Sequence, residues 1–229
     1  MIWKRSAGRP RRTYRPCRGT KGLSASSKTA VSTTPAARRG SISLARHGEP
    51  ALSRKVRLNA TEYRKFWATY EVGSIRADQA PPSAILEVAG GADVLFSSTR
   101  IRAIETATLV AGGRPFITDE VFIEAPLPPP RLPSFIRLNP KIWGFVSRFC
   151  WWFFNWHDHG EESRALATVR SQAATARLVA EAEAGRHVLL LAHGFFNRLI
   201  EIELKRLGWK RVSGRGYRYW SARRFEKGA

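Results

Sequence analysis

Beyond residue 40 the chain alternates short apolar runs with longer stretches of helical periodicity, which is how an α/β domain reads in sequence. Residues 41–45 form a brief first strand. Residues 59–70 read as a helix, because Asn59 at its start and Glu62 three positions on make a capping box. Residues 93–97 give a second strand and residues 100–110 a helix that Gly112 and Gly113 stop. Residues 116–124 form a third extended segment. After it, Pro126, Pro128, Pro129, Pro130 and Pro133 forbid a regular helix or central strand, so the chain is expected to cross the surface as an insertion of about residues 125–160.

Inside that insertion, residues 142–156 carry Trp143, Phe145, Phe149, Trp151, Trp152, Phe153, Phe154 and Trp156. So many aromatic side chains predict a helix packed on its neighbours. Residues 161–184 form a long alanine-rich helix stopped by Gly185. The run His187-Val-Leu-Leu-Leu-Ala192 is apolar without alternation, as in a strand buried on both faces of a sheet. Residues 195–207 make a final helix. The expected architecture is three-layered, α/β/α, around a mostly parallel central sheet.

Composition changes the picture at the N-terminus. The chain of 229 residues carries a formal charge of +21, and residues 1–40 supply eleven Lys or Arg and no acid. With few large apolar groups, that stretch is expected to be a disordered basic tail. It would be a transit-like segment, a basic arm, or an upstream-misassigned start, with Val31 the alternative start in a bacterial source. The remaining residues, 41–229, hold 28 basic against 18 acidic side chains and suit an anionic partner. Two distant cysteines, Cys17 and Cys150, make no disulfide framework and fit a reducing compartment such as the cytoplasm. No apolar run is long enough to span a bilayer.

The chemistry gathers where strands end. Arg46-His47-Gly48 follows the first strand; Ser98-Thr-Arg-Ile-Arg102-Ala-Ile-Glu-Thr106-Ala107 follows the second and opens a helix; His193-Gly194 follows the apolar strand, with Asn197 and Arg198 beyond. Ligands in α/β sheets bind at such ends, and a helix start offers N–H groups to an anion. Arg46 and Arg102 offer permanently charged forks suited to a phosphate monoester, whose negative oxygens repel nucleophiles until neutralised. A neutral His47 held through one ring nitrogen attacks through the other.

These motifs resemble the histidine phosphatase, or phosphoglycerate mutase-like, superfamily, over nearly everything from Ser41 to the helix after Gly194. The resemblance implies that His47 is the nucleophile, forming a phosphohistidine, with Arg46 and Arg102 binding phosphate and His193 a second histidine of the same pocket. It implies that Glu124, ending Asp119-Glu-Val-Phe-Ile-Glu124, is the proton donor. Where relatives continue Gly-Trp-Glu-Gly, this chain has Ala125-Pro126-Leu127-Pro128. Where they carry Gly-Glu-Ser, it has Gly160-Glu161-Glu162-Ser163, and either glutamate matches.

The expected activity is hydrolysis of a phosphomonoester, with mutase-type phosphoryl transfer as one alternative. The other is a non-catalytic basic binding module, supported by Lys/Arg mixed with Trp209, Tyr217, Tyr219 and Trp220 over residues 206–224. The partner is a small phosphorylated molecule or a phosphoprotein, rather than a membrane or nucleic acid. Basic residues beyond the two arginines point to a second anionic group on it. No cofactor or metal is expected; His157-Asp158-His159 has a metal-like spacing and reads instead as a polar loop.

Overall fold

Alternation along two strands explains the whole layer arrangement. The computed structural model of the protein describes residues 39–228. In β1 (Ser41–Arg46) and β4 (His187–Ala192), Ile42, Leu44, Val188 and Leu190 face one side of the sheet, and Ala45, Leu189 and Leu191 the other. Side chains two apart share a face, so a run apolar at every position needs cover on both. The cover on the first side is α5 (Arg164–Glu183) and α6 (Gly194–Arg206), through residues such as Ala174, Leu178, Phe196 and Ile200. On the second side lie α2 (Ser83–Gly90) and α3 (Ile101–Ala111), through Ile85, Ala89, Ala107 and Val110.

The sheet has six strands in the order β3-β2-β4-β1-β6-β5. β2 is Val94–Ser98, β3 Ile117–Asp119, β5 Trp209–Ser213 and β6 Ala222–Lys227. The first four in that order run parallel, and β6 and β5 are antiparallel. Parallel pairing aligns the C-terminal ends of β1, β2 and β4 on one edge, the ends that carry the three motifs.

Local signals set most boundaries. α1 (Ala60–Glu71) begins at the expected capping box, with Asn59 and Glu62 bonded reciprocally at 2.9 Å. α3 ends at Gly112, whose φ of 58° lies in the left-handed region that a glycine adopts without a Cβ clash. Three expectations change. The third extended segment is cut to β3, because Asp119 accepts from the Val121 N–H and turns residues 120–122 into a single 3-10 turn. The stretch after it crosses the surface only from Arg131, since Ala125, Leu127, Pro128 and Pro129 are buried while residues 131–135 are exposed. The basic, aromatic segment 206–224 supplies β5 and the first half of β6, strands anchored by buried Trp209 and Phe225. The basic tail expected at residues 1–40, with Val31 and Cys17, lies outside the described residues except for its last two.

α4 (Pro140–Phe154) departs from the expected packing of its aromatic side chains. Asn139 caps it through the Lys141 and Ile142 N–H groups, both at 3.0 Å. Trp143 and Trp151 are fully buried, Trp143 stacking on Tyr63 and donating to the Leu58 carbonyl at 2.6 Å. Phe145, Phe149, Phe153 and Phe154 instead face outward, Phe145 being 72% exposed. Among the described residues no helix is long and apolar enough to cross a membrane.

This split makes a paired prediction. Trp143→Ala should cost about 3–5 kcal/mol, as for other buried aromatic truncations. Phe145→Ala, two residues on, should stay within about 0.5 kcal/mol. Urea unfolding of the two variants checks this, and equal losses would contradict the orientation of α4.

Candidate active site

His47 sits just past β1, where its N–H continues the ladder to the Ala192 carbonyl at 2.9 Å. Its ring is 1% exposed, with Nδ1 2.7 Å from the Gly48 carbonyl oxygen. A carbonyl only accepts, so Nδ1 carries the proton and Nε2 keeps its lone pair. Gly48 is pinned in turn: its N–H donates to Thr106 Oγ1 at 2.9 Å, and Thr106 donates to the Arg102 carbonyl at 2.6 Å. Those contacts give a physical role to the threonine of the second motif, which ties the first motif to α3. A Cβ on Gly48 would stand 2.5 Å from the Trp220 indole, so only glycine fits beneath that ring.

Arg46 donates through Nη1 to the Tyr217 carbonyl at 2.7 Å and lies over the Tyr219 ring, 4.1 Å from its centroid. Its Nε is buried without a partner. Arg102, fully buried, spends its fork on the end of α1: Nη1 donates to the Tyr70 and Glu71 carbonyls and Nη2 to the Glu71 carboxylate, at 2.9–3.0 Å. Its Nε and the second N–H of Nη2 are the donors left over. Three of the five N–H groups of Arg102 are therefore committed, because a cation at a helix C-terminus meets carbonyls that have no partner within the helix. His193 N-caps α6, with its ring centroid 5.2 Å from that of His47. Its Nε2 lies 2.9 Å from Ser98 Oγ, and Nδ1 is buried without a partner.

Both imidazoles are hard to protonate. Burial is the main cause for each, and the Arg102 charge the next; Arg46 and Arg54 add to it at His47, and His47, Arg100 and Arg46 at His193. Each is held well below the ordinary value of 6.5, so both rings are neutral at neutral pH.

A cavity of about 400 Å³ opens over these groups. Arg46, His47, Arg102 and Glu124 all line it, whereas His193 sits beside His47 without lining it. Glu124 is fixed by α6: Oε1 accepts from the Phe196 N–H at 2.8 Å and Oε2 from the Phe195 N–H at 3.3 Å. Arg148 stands 3.5 Å from the same carboxylate. The segment bearing Glu124 is held from behind by Arg170, which donates to the Val121 and Ile123 carbonyls and pairs with Glu162 at 2.6 Å. Of the two adjacent glutamates, Glu162 thus has the inward role, while Glu161 is exposed.

A family model describing the histidine phosphatase superfamily, branch 1, matches residues 42–222. The chain belongs to this superfamily. Among solved structures, a mycobacterial glucosyl-3-phosphoglycerate phosphatase, described as a complex with VO3, is 25% identical at a TM-score of 0.51; the match covers 74% of this chain and 83% of that one. A protein described as mycobacterial hydrolase 1 is 24% identical at 0.51, covering 73% and 79%. A phosphoserine phosphatase of Entamoeba histolytica is 20% identical at 0.49, covering 73% and 80%. No curated protein matches the sequence.

Within this histidine phosphatase fold, sequence reasoning missed Arg54 and Arg148, which line the cavity. Arg54 follows the first motif by seven residues in a loop without periodicity, and Arg148 was hidden among aromatic neighbours. Charge was the available signal for both. The loop at His157 and His159 holds Asp158 in an ion pair with Arg64. Among the described residues no three His, Cys, Asp or Glu side chains gather as metal ligands.

The buried neutral rings set a pH dependence. Folded pKa values below the unfolded one mean that the unfolded chain binds more protons as pH falls through 6.5, so stability is lost on acidification. The urea midpoint of the wild type should therefore drop between about pH 7.5 and about pH 5.5 more steeply than that of His47→Gln/His193→Gln. Parallel curves would contradict the neutral assignment.

Proposed function

We propose that this histidine phosphatase-superfamily protein hydrolyses a small phosphomonoester through a phosphohistidine on His47. The observation that carries the reading is the His47 ring, whose Nδ1 is committed to the Gly48 carbonyl and whose Nε2 is left as a lone pair at a cavity lined by guanidinium groups. A cavity of this size suits a small ester. Further support comes from the mycobacterial relative, which is named a phosphatase.

In the first step Nε2 bonds to phosphorus while the P–O bond to the leaving group breaks, and the N–P species forms. The Nε groups of Arg46 and Arg102, buried and without partners, turn toward the phosphoryl oxygens and offset their charge. His193 contributes an Nδ1–H, the tautomer that Ser98 sets by donating its hydroxyl to Nε2. Glu124, the one carboxyl group lining the cavity among the described residues, gives its proton to the departing oxygen. In the second step the same carboxylate takes a proton from water, whose oxygen displaces His47 and releases phosphate.

The basic segment 206–224 gives little support to a nucleic-acid module. Arg223 is buried against Glu201, and Trp209 is core.

Two variants test the mechanism. His47→Ala should abolish turnover of p-nitrophenyl phosphate. Glu124→Gln should slow an alkyl phosphate by about 10²–10⁴-fold, and p-nitrophenyl phosphate less, because nitrophenolate leaves without a proton. In Glu124→Gln the N–P enzyme should accumulate and be found on the intact protein after alkaline quench, being lost in acid. Wild-type rates for His47→Ala would end the proposal.

A further inference from the structure

The cavity has a second wall that the chemistry above does not use. Tyr63, Phe66, Trp67 and Tyr70 of α1 all line it. Their spacing of i, i+3, i+4 and i+7 is that of one helix face, which in a globular protein normally meets core. Here it borders open space. The four rings brace one another: Tyr63 stacks with Phe66 at 6.2 Å, Phe66 with Tyr70 at 6.5 Å, and Trp67 with Tyr70 at 4.8 Å. Tyr63 and Tyr70 are buried, while Phe66 and Trp67 are half-buried and present their rings to the cavity. Leu127, Pro140 and Phe195 extend the apolar lining.

The cations away from the phosphate cradle do not make an equivalent second anion site. Arg148 is committed to the Ala125 and Pro126 carbonyls and faces Glu124, and Arg198 lies 3.3 Å from Glu201. Arg54, without a carboxylate partner among the described residues, lies over the Tyr219 ring that Arg46 also covers, 5.7 Å from its centroid, and so belongs to the cradle. Lys141 remains on the exposed rim. The second anionic group expected from charge alone therefore lacks a desolvated partner, whereas an apolar one has a complete wall.

On the phosphatase reading, we propose that the substrate is a phosphomonoester whose leaving group carries an aromatic or similarly flat apolar body, seated against the Tyr63-Phe66-Trp67-Tyr70 face of α1. Small carboxylated esters of the phosphoserine and phosphoglycerate type are poor substrates, because their carboxylate faces rings rather than donors. The wall and Glu124 line the same cavity. Specificity is thereby a property of α1, and phosphate chemistry a property of the strand ends.

The test uses alkyl esters, so that leaving-group reactivity stays nearly constant. With the full chain, 2-phenylethyl phosphate should exceed ethyl phosphate and O-phosphoserine in kcat/KM by roughly ten- to hundredfold, the gain expected for burying one ring. Phe66→Ala should remove most of that preference by raising KM for the phenylethyl ester, with a wild-type urea midpoint reporting that the variant is folded. Equal kcat/KM for the three esters, or preference for O-phosphoserine, would overturn the substrate class while leaving the phosphatase reading intact. Should no ester turn over, the phosphatase reading fails, and calorimetry decides the wall separately: 2-phenylethylphosphonate binding tighter than ethylphosphonate supports it, and equal affinities overturn it.

Discussion

Two imidazoles whose centroids lie 5.2 Å apart, both buried beside guanidinium groups, share one site in their neutral forms, because a charge on either would be desolvated and repelled. Much of the surrounding structure serves that constraint. The Gly48 carbonyl takes the His47 proton on one side, Ser98 occupies one nitrogen of His193, and Thr106 holds the glycine that positions the first carbonyl. Each contact comes from the end of a different parallel strand or from the helix that follows it. The site is thus a product of sheet topology, with the side chains aligned before any ligand arrives.

Arg102 links this centre to the rest of the pocket. By capping the C-terminus of α1 and pairing with Glu71, it fixes the helix that bears the aromatic wall. Arg100 pairs with the same carboxylate at 3.0 Å, so α1 is held by both arginines at the start of α3. An isolated buried guanidinium would be costly, and the pairing offsets that cost while leaving two N–H groups for a ligand. The phosphate cradle and the apolar wall therefore share one support, and a change at Glu71 reaches both.

The sequence made the layer order and the motif positions legible because both rest on local rules. Apolar runs without alternation mark β4, and reciprocal caps mark α1. It was less informative where long-range packing decides. The α4 aromatics look uniform in sequence, yet the helix buries Trp143 and Trp151 and turns Phe145 and Phe153 outward, a division set by neighbours contributed by α1 and α6. The β5–β6 hairpin was masked by its charges; Lys210 and Arg211 belong to an edge strand, where exposed cations discourage pairing with another sheet. At the site, His47, Arg46 and His193 were legible from motifs, whereas the orientation of the Arg102 fork depends on Glu71, 31 residues away, and no local pattern announces it.

The loop joining β5 to β6 lies beside the end of β1, with Tyr217 receiving the Arg46 guanidinium, Tyr219 lying beneath it and Trp220 closing over Gly48. These partners stand 171 residues apart in the Arg46–Tyr217 pair. During synthesis, β1 and its histidine leave the ribosome long before the rings that cover them exist. Because β1 pairs with β4 and β6, the nascent domain closes its sheet only after residue 187 has emerged, and the anion cradle is finished later still, when this hairpin docks.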